Sequence, residues 1–350
     1  MKTLRLCGAL LLSLAAAAAK PEPTVDPQKA VPVHRGEWVF SLLPKSFQKN
    51  PVVDFTVITE MTAEGRKYPT PSPGNPIYYK TVLGTYLQLG QGMPAGEKSP
   101  AMTELQERLR SALATNGYLP AAPPEHKPSV VIMFYWGSHT PDYQEAQDAA
   151  LDAATQVTAD GSSIAPLSGA QTAEDLLPLV LSDLTKRKEL IERASLIGGM
   201  KFAYQLSSVL DDEVRLSQID ENAGRAAALV GNPFPDFRSM ATPFHRFLQS
   251  DPKIEMLVEA TFGSCYFVVA SAYDGVAMAK GEGRLLWRTK MTVNSSGVSM
   301  REALPTLIAS SAPFIGRDMR DAEVISKRVY REGHVEIGTP TVVEEPAAKP

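Results

Sequence analysis

Hydrophobic and polar positions along the chain fall into segments of different period. Residues 52–59 alternate, with Val53, Phe55 and Val57 on one side and Asp54 and Thr56 on the other, which predicts a half-buried strand. Residues 285–293 alternate in the same way, with Leu285, Trp287, Met291 and Val293 inward and Arg288, Lys290 and Thr292 outward. Residues 130–136 (VVIMFYW) and 265–273 (CYFVVASAY) are apolar nearly throughout, as in strands covered on both faces. A fifth strand is expected over residues 77–89, interrupted by Gly84.

The helical segments carry punctuation. Thr103 with Gln106 has the spacing of a capping box, and Leu105, Leu109, Ala112 and Leu113 follow at helical spacing until Asn116-Gly117 stops them. Ser299 with Glu302 repeats that signature before Leu304, Leu307 and Ile308. The longest helix is expected over residues 174–197. It opens after Thr172, tolerates Pro178 in an early turn and ends at Gly198-Gly199. Asp251-Pro252 marks one more helix start.

Capped helices interleaved with strands point to an α/β or α+β fold: a single mixed β-sheet with helices packed on it. The strands at 265–273 and 285–293 are separated by only eleven residues, so they should pair antiparallel. The folded body is expected over residues 37–330. A mobile insertion is expected near 143–173, rich in Ala, Asp, Gln, Ser and Gly, and a loose tail over 331–350.

Residues 1–19 do not read as part of this body. Lys2 and Arg5 precede an apolar run that ends in Ala15–Ala19, the pattern of an export signal cut near Ala19. Cys7 precedes the apolar run, whereas a lipid-acceptor cysteine should follow it. An uncleaved anchor is the other option, and an alanine run makes a weak one. Pro21, Pro23, Pro27 and Pro32 mark residues 20–36 as an extended leader. The expected address is therefore the periplasm or the cell exterior.

Composition narrows the function classes. The formal charge of −4 becomes −6 once Lys2 and Arg5 are removed, giving no net attraction to nucleic acid or anionic lipid. After Ala19 no stretch reaches the ~20 continuous apolar residues of a membrane span. Of the two cysteines only Cys265 lies beyond the signal, and its strand setting suggests a packed, inert thiol. His34, His126, His139, His245 and His334 stand singly, without metal-ligand spacing, so no metal and no cofactor is implied. There is no G-x-S-x-G nucleophile elbow.

One constellation remains. The two most apolar strands end in Tyr135-Trp136-Gly137-Ser138-His139 and Tyr273-Asp274-Gly275. Were they parallel neighbours, Tyr135, Trp136 and Tyr273 would gather at one sheet edge as a binding site. His139 would then reach Asp274, or Asp142 nearby, as a catalytic pair. The plainer reading is that strand ends carry Gly, Asp and Ser for turns, and Tyr and Trp to bridge core and water. Residues 232–247 (NPFPDFRSMATPFHRF) must also bury Phe234, Phe237 and Phe244, against their own domain or against a partner. The basic stretch at 317–331 is a solvated face or a contact for an acidic envelope partner.

Phe40-Ser41-Leu42-Leu43-Pro44-Lys45 and Tyr135-Trp136-Gly137-Ser138-His139 resemble segments of uncharacterised exported envelope proteins of the Verrucomicrobia type, with a remoter likeness to periplasmic lipoproteins of unknown function. Asn116-Gly117-Tyr118 and Leu286-Trp287-Arg288 resemble segments of exported proteins and lipoproteins of unknown function from Gram-negative and related bacteria. The resemblance implies an envelope location and a mixed α/β domain, and brings no activity or site residue with it. The expected function is non-enzymatic binding or scaffolding by an exported protein. The alternative is a periplasmic hydrolase with its site at the two strand ends.

Overall fold

Apolar alternation and helix caps resolve, in a computed structural model, into a sheet clad by helices on both faces. The structure describes residues 45–90, 98–141, 172–230 and 242–331, all within one compact unit. The strands are β1 (Val52–Met61), β2 (Ile77–Gly90), β3 (Tyr118–Pro120), β4 (Val130–Thr140), β5 (Cys265–Asp274), β6 (Leu285–Asn294) and β7 (Glu323–Arg328). The helices are α1 (Ala63–Lys67), α2 (Met102–Thr115), α3 (Ala173–Leu181), α4 (Leu184–Val230), α5 (Pro243–Leu248), α6 (Pro252–Phe262), α7 (Gly275–Ala279) and α8 (Met300–Ser311). One seven-stranded sheet runs β3-β2-β4-β5-β6-β1-β7. The β3–β2 and β2–β4 pairs are parallel and the other four antiparallel, so the sheet is mixed, as the sequence indicates.

Two cores lie on opposite faces. On one, Leu105, Leu109 and Leu113 of α2 meet Leu304, Leu307 and Ile308 of α8 over Phe55, Ile132, Phe134 and Val268. On the other, Leu190, Ile197, Phe202 and Leu206 of α4 pack with Phe244, Val258 and Phe262 against Ile58. Each such side chain contributes on the order of 1.5–3 kcal/mol by leaving water. Cladding on both faces overturns the expected half-buried strands: Thr56, Lys290 and Thr292, placed outward by alternation, are buried. Lys290 is held by Glu60 Oε2 at 2.7 Å and by the Ser195 carbonyl at 2.8 Å.

Several boundaries move. The capping box at Ser299 and Glu302 forms. The one expected at Thr103 does not, because α2 starts two residues earlier with Ala101 as its cap. Thr172 and Ala173, assigned to the insertion, are the cap and first residue of α3, and Asp175 completes a capping box there. The single long helix expected over 174–197 is instead two, divided before Leu184, where Asp183 accepts from the Thr185 N–H at 2.8 Å. The second does break where expected, at Gly199. That residue takes φ +83° and ψ 176°, a conformation reserved for glycine, and the helix restarts beyond it. Glu60 accepts the freed N–H of Met200 at 2.6 Å and so caps the restarted segment.

Arg331, placed in the loose tail, instead belongs to the folded body: its guanidinium donates to the carbonyls of Lys45, Ser46, Gln48 and Gly297. The signal, the leader, residues 143–171 of the expected insertion and residues 332–350 lie outside the described residues.

Candidate functional site

The two apolar strands are neighbours, but β4 and β5 run antiparallel. Val130 faces Asp274 and His139 faces Cys265, at opposite ends of a ten-pair ladder. At ~3.4 Å per residue, His139 and Asp274 stand roughly 30 Å apart. The expected catalytic pair is therefore not assembled. Asp274 is the N-cap of α7, accepting from the N–H groups of Val276 and Ala277 at 2.9 and 3.1 Å. Asp142 lies outside the described residues.

His139 instead faces Glu189 of α4, Nε2 to Oε1, at 3.5 Å. One helical turn on, the fully buried Arg193 donates to the carbonyls of Thr261 (2.8 Å), His139 (3.1 Å) and Gly263. A guanidinium against the carbonyls that close α6 joins that helix to the end of β4 and favours the helix dipole. Cys265 sits in the same corner, and burial pushes its thiol above the usual range, keeping it neutral. This corner is a structural clamp with a protonated, inaccessible sulfur.

The expected binding aromatics divide between the faces. Trp136 points into the α2/α8 core, stacks on Phe134 and donates Nε1–H to Ser99 Oγ at 2.9 Å. Tyr135 and Tyr273 lie half-buried on the opposite face, as does Arg288, whose Nε–H reaches Ser271 Oγ at 3.0 Å. Burial raises the Tyr135 hydroxyl above its ordinary range. Phe244 is packed against Phe262 in the α4 core, 1% exposed, which removes it from the partner loop. Phe234 and Phe237 lie outside the described residues.

A concavity lined by described residues lies elsewhere, on the α2/α8 face where β2, β3, β4 and β6 begin. It is a cavity of about 260 Å³. Its floor is Ile77, Tyr118, Val130, Leu286 and Trp287, all nearly fully buried, and its walls include Tyr68, Pro69 and Pro71. Each wall has a local cause. The Asn116-Gly117 stop of α2 turns the chain so that Tyr118 enters the core. An extra residue at Leu286 breaks the β5–β6 register and brings Leu286 and Trp287 both into that core. Gly316, at φ +73°, passes so close that a Cβ would come within 2.9–3.2 Å of Tyr118 and Trp287.

Polar groups are few and specific. Trp287 Nε1–H donates to the Tyr118 hydroxyl at 2.9 Å, with the rings edge-on at 5.6 Å. Burial pushes the Tyr118 phenol up to about 12, so it stays a neutral hydroxyl with its own proton left to donate. Asn116 spends its amide N–H groups on the carbonyls of Ala312 and Ile315 and so fixes the chain leading to Gly316. At the mouth, Asp318 is held by Arg66 at 2.8 Å and by the Met61 N–H at 3.3 Å. Arg317 also lines the mouth, exposed, with no carboxylate partner among the described residues. Among the described residues the mouth therefore carries one uncompensated positive charge.

Sequence reading missed this site. Trp287 and the Asn116-Gly117 turn were legible singly, yet nothing in their spacing joins them to Tyr68 or Arg317. Among the described residues no group of three or more His, Cys, Asp or Glu is placed to hold a metal ion, and no helix is long and apolar enough to cross a membrane. No protein-family model and no curated protein matches this chain.

Proposed function

We propose that this is a non-enzymatic binding protein of the periplasm or cell envelope, and that its ligand is a small planar molecule bearing an anionic group. The carrying observation is the aromatic-floored cavity with Arg317, which has no carboxylate partner among the described residues, at its mouth. Such sites are mostly apolar, with a few placed polar groups that orient the ligand. A volume of 260 Å³ equals that of roughly nine liquid waters, which suits a ring of about ten heavy atoms. The ring lies against Tyr68, Tyr118 and Trp287, the Tyr118 hydroxyl donates to it, and the anion meets Arg317. The envelope address rests on the N-terminal export pattern and on the resemblance to exported proteins. The hydrolase reading loses its premise, since His139 and Asp274 occupy opposite ends of the β4–β5 ladder.

Isothermal titration with indole-3-acetate and 4-hydroxybenzoate, each beside its uncharged counterpart, tests the proposal. About ten heavy atoms at ~0.5 kcal/mol each give affinities on the order of 10⁻⁴ M. Arg317→Ser should weaken the carboxylates several-fold and leave the neutral rings unchanged. Equal binding of charged and neutral rings, before and after the substitution, would remove the anion. Absence of binding by every ring at millimolar concentration would remove the cavity as the site.

A further inference from the structure

The outer edge of β2 lies away from the cavity mouth and is the longest open edge of the sheet among the described residues. β3 pairs with Ile77–Tyr79 only. From Lys80 to Gly90 the other side of the strand pairs with β4 on both sides of one bulge, while this side has no strand partner among the described residues. Natural edge strands are blunted by charge, proline, shortness or a bulge. This one carries no proline and no charged residue between Thr81 and Gly90. Its bulge, at Gly84 and Thr85, leaves the run Tyr86–Gly90 regular against Trp136–Thr140. Val82, Leu83, Leu87 and Leu89 are each 37–40% exposed along it.

We propose that this edge pairs with the same edge of a second copy of the chain, antiparallel about a two-fold axis at Gln88. The occupant follows from charge and symmetry. Residues 81–90 carry no charge, so two copies of the strand oppose no like charges, and an edge that pairs with itself needs no second complementary surface. About Gln88, Leu87 of one copy falls opposite Leu89 of the other, and the reverse. All four leucines then share one face, since residues two apart lie on the same side of a strand. The contact is isologous, so it closes at two subunits and continues the seven-stranded sheet into one of fourteen.

Analytical ultracentrifugation of the chain lacking residues 1–19 tests this, with two variants. The wild type should sediment as a dimer at tens of micromolar. Leu87→Lys should sediment as a monomer with an unchanged far-ultraviolet spectrum, because the site is a surface one. A residue on the axis faces itself at the ~4.5–5.5 Å Cα separation of antiparallel pairs, within disulfide range. Gln88→Cys should therefore cross-link most of the protein into dimers under mild oxidation. A wild-type monomer at 100 µM would overturn the proposal. So would a dimer that survives Leu87→Lys, or one that Gln88→Cys fails to trap. A chain that stays monomeric yet binds an extended peptide of another protein along β2 would also overturn it.

Discussion

Tyr118 shows how one side chain ties the chemistry of the cavity to the stability of the fold. Its hydroxyl accepts from Trp287, and its ring forms the floor. Because burial pushes the phenol up to about 12, the folded state keeps a proton that the unfolded chain loses near pH 10. Its contribution is present below pH 10 and is lost as pH rises through the window from 10 to 12. A two-unit difference corresponds to about 3 kcal/mol. Tyr68, Tyr79 and Tyr135 are also raised by burial and act in the same direction. Lys290, lowered by burial, acts in the opposite one. The informative quantity is thus the difference between wild type and Tyr118→Phe. Urea unfolding at several pH values should show the variant losing less stability than wild type across pH 10–12, by roughly that amount. Identical alkaline slopes would mean that Tyr118 is not buried as described.

Residues also show why parts of the site were illegible. The inward setting of Trp287 could be read from alternation, and it holds. The outward setting of Lys290 could be read in the same way, and it fails, because α4 crosses that face and supplies Ser195 while β1 supplies Glu60. Alternation reports which side a residue takes; what covers that side depends on chain far away in sequence.

At the scale of elements, caps and breaks are where local chemistry and tertiary structure are easiest to separate. Ser299 caps α8 in a reciprocal box with Glu302, so Ser299→Ala should lower stability by about 1 kcal/mol in urea unfolding. Thr103 has the same motif in sequence but sits inside α2, so Thr103→Ala should change stability by less than ~0.5 kcal/mol. Equal losses at both positions would contradict the observed helix starts.

Gly199 is the counterpart at a break. The sequence suggests a stop, and the glycine does leave helical geometry. A following N-terminus is nevertheless rescued by Glu60 from β1, a partner 140 positions away. Gly199→Ala should cost on the order of 1–3 kcal/mol, since its backbone angles suit only glycine and a Cβ would press on Ile58 and Glu60 at 3.0–3.1 Å. A neutral effect on the melting temperature would show that the helix runs through this position.

Across the whole molecule, topology decides what local pattern leaves open. All five expected strands exist, and the β5–β6 hairpin is antiparallel as its short connection requires. The short edge strands β3 and β7 carry too little pattern to be read. Strand direction between β4 and β5 was the pivotal unknown. Antiparallel pairing scatters the expected polar cluster to both ends of the sheet, and strand order gathers Tyr68, Tyr118 and Trp287 around a cavity instead. Those three residues come from segments separated by up to 219 positions, so no spacing rule could have joined them.

The central claim, that this cavity is the binding site, is tested most directly by the indole N–H signals in a nitrogen–proton correlation spectrum during titration with indole-3-acetate. Trp287 lies in the cavity floor, whereas Trp136 is tied to Ser99 outside it. Assignment by Trp287→Phe and Trp136→Phe makes the two signals distinguishable. The account predicts a saturable shift of the Trp287 signal at sub-millimolar ligand, with Trp136 unmoved. A Trp287 signal that stays fixed while ligand binds elsewhere, or that moves only in step with Trp136, would contradict it.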